Sequence, residues 1–189
     1  TSDGGRGPVA MLRIGDVRVH HVEEWQGNFL PPSQFFVGYD EATFRSFASG
    51  LTPQYYRDDA DSIYAFLQSW ILEVDGLRVL YDTGAGNAKE RPGIPIFGGL
   101  DTPFLTRMAA AGFAPDDIDV VICSHLHIDH VGWNTQLHEG RWVPTFPDAR
   151  YLFSAIERDY WDIEIGGVTS ARVFRERESC VWFLDGSYD

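Results

Sequence analysis

The sequence predicts an α/β protein built in layers, with strands and helices mixed along one chain. Three observations carry that expectation. Residues Ser62 to Val74 and Leu77 to Gly84 read as two strands joined by an Asp75-Gly76 turn. Thr102-Pro103 opens a helical stretch that Gly112 closes. Ile118 to Cys123, "IDVVIC", is then a buried strand by its β-branched content.

The elements follow in order. Thr1 to Ala10, "TSDGGRGPVA", is small, Gly-rich and without pattern, so residues 1–10 are expected to be a flexible tail or expression remnant, with Met11 as the natural start. Residues 11–189 are expected to belong to one domain. Leu12 to Val22 alternates around Gly15-Asp16 and predicts a hairpin. Glu23 to Asp61 is less regular, with a short helix over "DEATFRSFASG". Its aromatics Trp25, Phe29, Phe35, Phe36 and Tyr39 suit a pocket wall, a dimer contact or a local core equally well. Asp82 falls at a strand end before Thr83, Gly84 and Gly86, where glycines permit a sharp turn. Thr102 is expected to cap its helix, and "APDD" to turn the chain into the Ile118–Cys123 strand. Beyond "VGWNT" come a turn at Gly140, a strand over Ala149–Phe153 and a helix over Ser154–Ile163. The end, "ARVFRERESCVWFLDGSYD", is charged and then apolar.

Composition removes several classes of function. The chain has 189 residues, is 44% hydrophobic and contains thirteen Phe, eight Tyr and six Trp, enough for a core. A net charge of −13 repels a phosphate backbone, so neither nucleic acid nor an anionic membrane is expected as a partner. Two cysteines, Cys123 and Cys180, make no disulfide framework, and no apolar run reaches membrane-helix length, so a reduced, cytoplasmic setting is expected.

The chemistry concentrates in Cys123 to His130, "CSHLHIDH". His125 and His127 are one residue apart, so on extended backbone they point the same way and can meet at one ion. Asp129 and His130 lie on a tighter turn, point elsewhere and suit a second ion. Imidazole with carboxylate accepts zinc, and also Fe, Mn, Co or Ni. A single loop histidine is ordinary, but three with an aspartate in six residues behind a buried strand point to metal. His20-His21 lies on an alternating strand and His138 beside a turn, so neither is expected in a site. Cys123 is expected to be a buried, inert thiol. "GAGN" at Gly84 to Asn87 lacks the lysine of a P-loop.

"SHLHIDH" resembles the His-x-His-x-Asp-His motif of the metallo-β-lactamase-fold superfamily. "ILEVDGLRVLYDTGAGN" is similar to its early hairpin ending in Asp-x-Gly, and "GFAPDDIDVVICSHLHIDHVGWNT" to its helix, turn, strand and metal loop. "FPDARYLFSAIERDYW" resembles the lactonase-like and organophosphate-hydrolase-like branch. The resemblance implies an αββα sandwich, of which this chain holds mainly the N-terminal half. It implies two divalent ions, zinc foremost, one on His125 and His127 and the other on Asp129 and His130. These would acidify a shared water and polarise the substrate. Asp82 would steady the ligand loop and Asp129 would also handle a proton.

The family places a third His, a bridging Asp and a last His further on, whereas His138 is the one histidine after His130. The chain is therefore expected to be a fragment or to need a complementing C-terminal chain, with homodimerisation as a further option. The function expected is hydrolysis of a small ester or lactone, acyl-homoserine lactones among them. The alternative is a catalytically incomplete metal-binding or interaction fragment. Phosphotriester, thioester and β-lactam cleavage and diiron oxygen chemistry rank below these.

Overall fold

The structure is a computed structural model that describes residues 11–157, 170–175 and 182–188. Residues 1–10 and most of the helix expected over Ser154–Ile163 lie outside the described residues, although residues 155–157 are helical. The described elements begin with β1 (Leu12–Ile14), β2 (Val17–Asn28), α1 (Pro32–Phe35), α2 (Glu41–Leu51), β3 (Tyr56–Arg57), β4 (Ser62–Val74) and β5 (Leu77–Tyr81). They continue with α3 (Phe104–Ala110), β6 (Val120–Ile122), β7 (Thr135–His138), β8 (Arg141–Pro144), β9 (Arg150–Leu152), β10 (Ser170–Arg175) and β11 (Trp182–Tyr188).

The main sheet has the order β1-β2-β4-β5-β6-β9, with β3 paired to β4. Both expected hairpins form. Ile14 pairs with Val17 across Gly15-Asp16, and Val74 pairs with Leu77 across Asp75-Gly76. Asp75 and Gly76 have φ of 51° and 79°, the left-handed pair that a two-residue hairpin needs. From β5 onward the pairing turns parallel, through β6 to β9. β7–β8 and β10–β11 are separate two-stranded antiparallel sheets.

Register explains which face is dry. Ile71, Leu80, Val121 and Tyr151 are successive partners across four strands and all are buried. Together with Val22 they pack on Phe104 and Met108 of α3 and on Phe113, Trp133 and Phe146. Each such side chain contributes roughly 1.5–3 kcal/mol on leaving water. The next row falls on the opposite face because side chains alternate. There Trp70, Tyr81 and Leu152 remain 38%, 40% and 43% exposed, an apolar row left open to solvent.

Two details differ from expectation. β2 runs on to Asn28 instead of ending at Val22. The position before α3 is Pro103, with no side-chain cap. Thr102 turns instead to Asn87, whose Oδ1 accepts from its N (2.8 Å) and Oγ1 (3.2 Å). The chain resolves into two compact units, residues 25–67 and the remainder. In the former, Phe44, Ala48 and Tyr56 form a small core, and rings of Phe29, Phe35, Phe36 and Phe44 meet edge-on or tilted. Among the described residues no helix is long and apolar enough to cross a membrane.

Candidate metal centre

The site grows from two loops that leave the carboxyl ends of adjacent parallel strands. β5 runs into Asp82-Thr83-Gly84-Ala85-Gly86, and β6 into the 125–130 segment. Backbone hydrogen bonds tie the loops together. Thr83 N donates to His130 O (2.8 Å), Gly132 N to Gly84 O (2.7 Å) and Trp133 N to Thr83 O (2.8 Å). The approach is close enough to exclude a side chain: a Cβ on Gly132 would lie 1.9 Å from the Ala85 carbonyl carbon.

Asp82, buried and with φ of 53°, is the hub of the 124–130 segment. Its Oδ1 accepts from Ser124 N (2.7 Å), and its Oδ2 from Ser124 Oγ (2.7 Å) and from His130 Nδ1 (2.8 Å). Burial alone would raise the Asp82 carboxyl, but the hydrogen bonds from His130 and Ser124 outweigh it and hold it below the usual range. With Nδ1 committed, His130 has Nε2 free to face Asp129 Oδ2, 3.4 Å away. Hydrogen bonding to Asp129, then to Asp82, pushes His130 up to about 9. The His130 contact in turn holds Asp129 low.

The structure brings the three motif histidines together. The ring centroids of His125 and His127 are 4.6 Å apart. His130 does not point elsewhere, as the tighter turn suggested: its ring lies 3.9 Å from that of His125. Ser124 Oγ is 2.9 Å from His125 Nδ1, which leaves that ring's Nε2 available too. The donor set suits a divalent ion by its chemistry and by its outer hydrogen bonds, which fix ring orientation as ligating histidines require. Among the described residues no three or more His, Cys, Asp or Glu converge as a metal-holding group. The fit is therefore one of residue type, with ring orientation fixed at His125 and His130.

His138 is exposed at its turn. His20 Nε2 meets Glu73 Oε1 at 2.7 Å, away from the loops. Cys123 is buried, and that burial pushes its thiol up to about 11.

Three contributors escape sequence reasoning. Glu24, 1% exposed on β2, accepts from Ala85 N (2.7 Å), Gly86 N (2.8 Å) and the Trp133 indole (2.7 Å). Burial raises its carboxyl despite those donors. Its one sequence signal is a Glu on the inward side of an alternating strand, in step with Val22. Ser124 is the second. The third is Glu157, whose Oε2 accepts from Leu126 N (3.0 Å) between two motif histidines.

Residues 66–185 match the metallo-beta-lactamase superfamily, and the chain belongs to it. The N-acyl homoserine lactonase AiiB of Agrobacterium fabrum (strain C58) is 28% identical over 132 residues, covering 65% of this chain and 41% of that protein. Among solved structures, the hydrolase AbOPH of the beta lactamase superfamily aligns with a TM-score of 0.65 at 19% identity, over 83% of this chain and 48% of its own. The dizinc quorum-quenching lactonase AidC aligns with a TM-score of 0.62 at 22% identity, over 80% of this chain and 46% of its own. At these identities the structural likeness shows the fold. The chain spans about half or less of the length of each of these relatives and covers only part of the family domain.

Proposed function

We propose that this chain is part of a metal-dependent hydrolase that cleaves a small ester or lactone with water. The observation that supports this best is the Asp82 hub, which orients His130 and, through Ser124, His125, at the carboxyl ends of two parallel strands. His125, His127, Asp129 and His130 would hold two divalent ions, zinc foremost. Such ions supply an acidified water and a polarised carbonyl. Asp82 keeps His130 Nδ1 engaged, so that Nε2 is the nitrogen presented. Asp129, whose Oδ2 lies 3.4 Å from His130 Nε2, would also handle a proton there, although its lowered carboxyl favours the ionised, ligating form. The similarity to an N-acyl homoserine lactonase supports a lactone as first substrate.

The test is turnover of N-hexanoyl-homoserine lactone by zinc-loaded protein. Ring opening that a chelator abolishes and zinc restores is expected. Chelator-resistant turnover, or none with zinc bound, contradicts the reading.

The open row of Trp70, Tyr81 and Leu152 favours a second reading, in which this chain is an interaction fragment whose apolar face docks on a complementing chain. A zinc-loaded chain without turnover that forms a stable complex with a C-terminal fragment supplying the later ligands would select it.

A further inference from the structure

Lys89 and Arg91 stand out in a chain of net charge −13. Long cationic side chains usually carry their heads into water. These two, on the loop between β5 and α3, are half-buried instead. Lys89 Nζ donates to Thr135 Oγ1 at 2.8 Å and lies 3.7 Å from the centroid of the Trp142 ring. Gly86 makes room for it, since a Cβ there would come within 2.9 Å of Lys89 Cε. Arg91 reaches the Ala85 carbonyl through Nη2 at 3.5 Å. Its Nε is buried with no hydrogen-bond partner among the described residues.

The carboxylates whose charges act on Arg91 are Asp129 and Glu24. Neither is free to satisfy it. Glu24 already accepts from two backbone amides and an indole. Asp129 faces His130 and belongs to the proposed ligand set. Were Asp129 to hold an ion, its charge would be offset and Glu24 would remain as the other carboxylate acting on the guanidinium, with Nε still lacking an acceptor among the described residues. The Nε–Nη2 edge of arginine is a fork that matches two oxygens of one carboxylate or phosphate.

We propose that Arg91, backed by Lys89, forms an oxyanion subsite beside the 125–130 loop. The substrate is then a lactone or ester carrying a carboxylate or phosphate away from the bond that is cut. This deepens the hydrolase reading and rests on it for the word substrate.

Calorimetric titration tests it, using sodium succinate and inorganic phosphate as the probes, on the full chain in metal-free and zinc-loaded forms. Saturable binding of at least one probe is expected. Arg91→Gln should weaken it about tenfold or more, from the loss of charge-assisted hydrogen bonds. Arg91→Lys, which keeps the charge and loses the fork, should weaken it by less. It also serves as the folded control if circular dichroism shows Arg91→Gln to be misfolded, and binding by Arg91→Lys equal to the original then overturns the subsite. Preference for succinate identifies an acidic-ester class, and preference for phosphate a phosphorylated one. No saturation with either probe overturns the proposal. So does equal binding by Arg91→Gln, the behaviour of an anion held by metal alone. Chelator-sensitive turnover of neutral γ-butyrolactone by the unaltered chain reports separately on the hydrolase reading.

Discussion

Two buried carboxylates fasten the loop after β5, and they do different work. Asp82 stands next to the ligand segment and spends its oxygens on Ser124 and His130. Glu24 comes from β2, far upstream, and binds the Ala85 and Gly86 amides and the Trp133 indole. One partner set orients the 124–130 segment, and the other fastens the 85–86 backbone and Trp133. Both are buried, so a carboxylate's role is read from what it accepts.

The two positions are expected to break differently. The largest effect is expected at Glu24. Glu24→Ala leaves two buried amides and an indole N–H without an acceptor, at ~1–3 kcal/mol each. Loss of roughly 4 kcal/mol or more in urea unfolding is expected, enough to unfold many domains of this size. A change of under ~0.5 kcal/mol would remove Glu24 from the scaffold, since that is the range of ordinary surface substitutions.

Asp82→Ala should act mainly on metal. Zinc affinity is expected to fall about 10- to 100-fold through loss of the His130 partner, with a smaller urea shift than at Glu24. Equal damage to stability and to zinc binding at both positions would erase the distinction.

The pH dependence sharpens it further. His130 sits at about 9 because carboxylates hold its proton. A zinc ion held by His130, as proposed, would have to displace that proton, so apparent affinity should fall about tenfold per unit as pH drops below 9. In Asp82→Ala the fall should begin at lower pH. The metal-free protein should show the converse linkage. A histidine raised from 6.5 to about 9 on folding stabilises fully below 6.5, and that contribution disappears as pH rises through 9. Competition titrations between pH 6 and 10, beside urea melts at the same values, read both.

The smallest effect is expected at Cys123. A buried thiol pushed up to about 11 should resist iodoacetamide at pH 8 in the native chain and react in denaturant, as peptide mapping would show. Native labelling at position 123 would mean that β6 opens far more readily than its packing implies.

Much of this was legible in the sequence because it is local. The Asp75-Gly76 hairpin needs only neighbouring residues with left-handed backbone, and the histidine spacing is a six-residue pattern. Asp82 was legible through family resemblance. Thr102 misled because a Thr-Pro pair reads as a helix start, whereas Asn87, fifteen residues away, takes up its polar groups. Glu24 was illegible for the same reason at longer range. Its partners lie 61, 62 and 109 residues on, and its inward register, in step with Val22, does not say which groups it meets. The inward position of His130 also depends on tertiary contact, through the Asp82 bond that turns the ring toward His125.

The most direct test of the central claim is zinc stoichiometry after gel filtration, comparing the chain with a variant carrying His125→Ala and His127→Ala together. The unaltered chain is expected to retain about two zinc ions at saturation, as a two-metal site requires, and the variant to lose at least one. Equal zinc in both, or none in the unaltered chain at neutral pH, would contradict it.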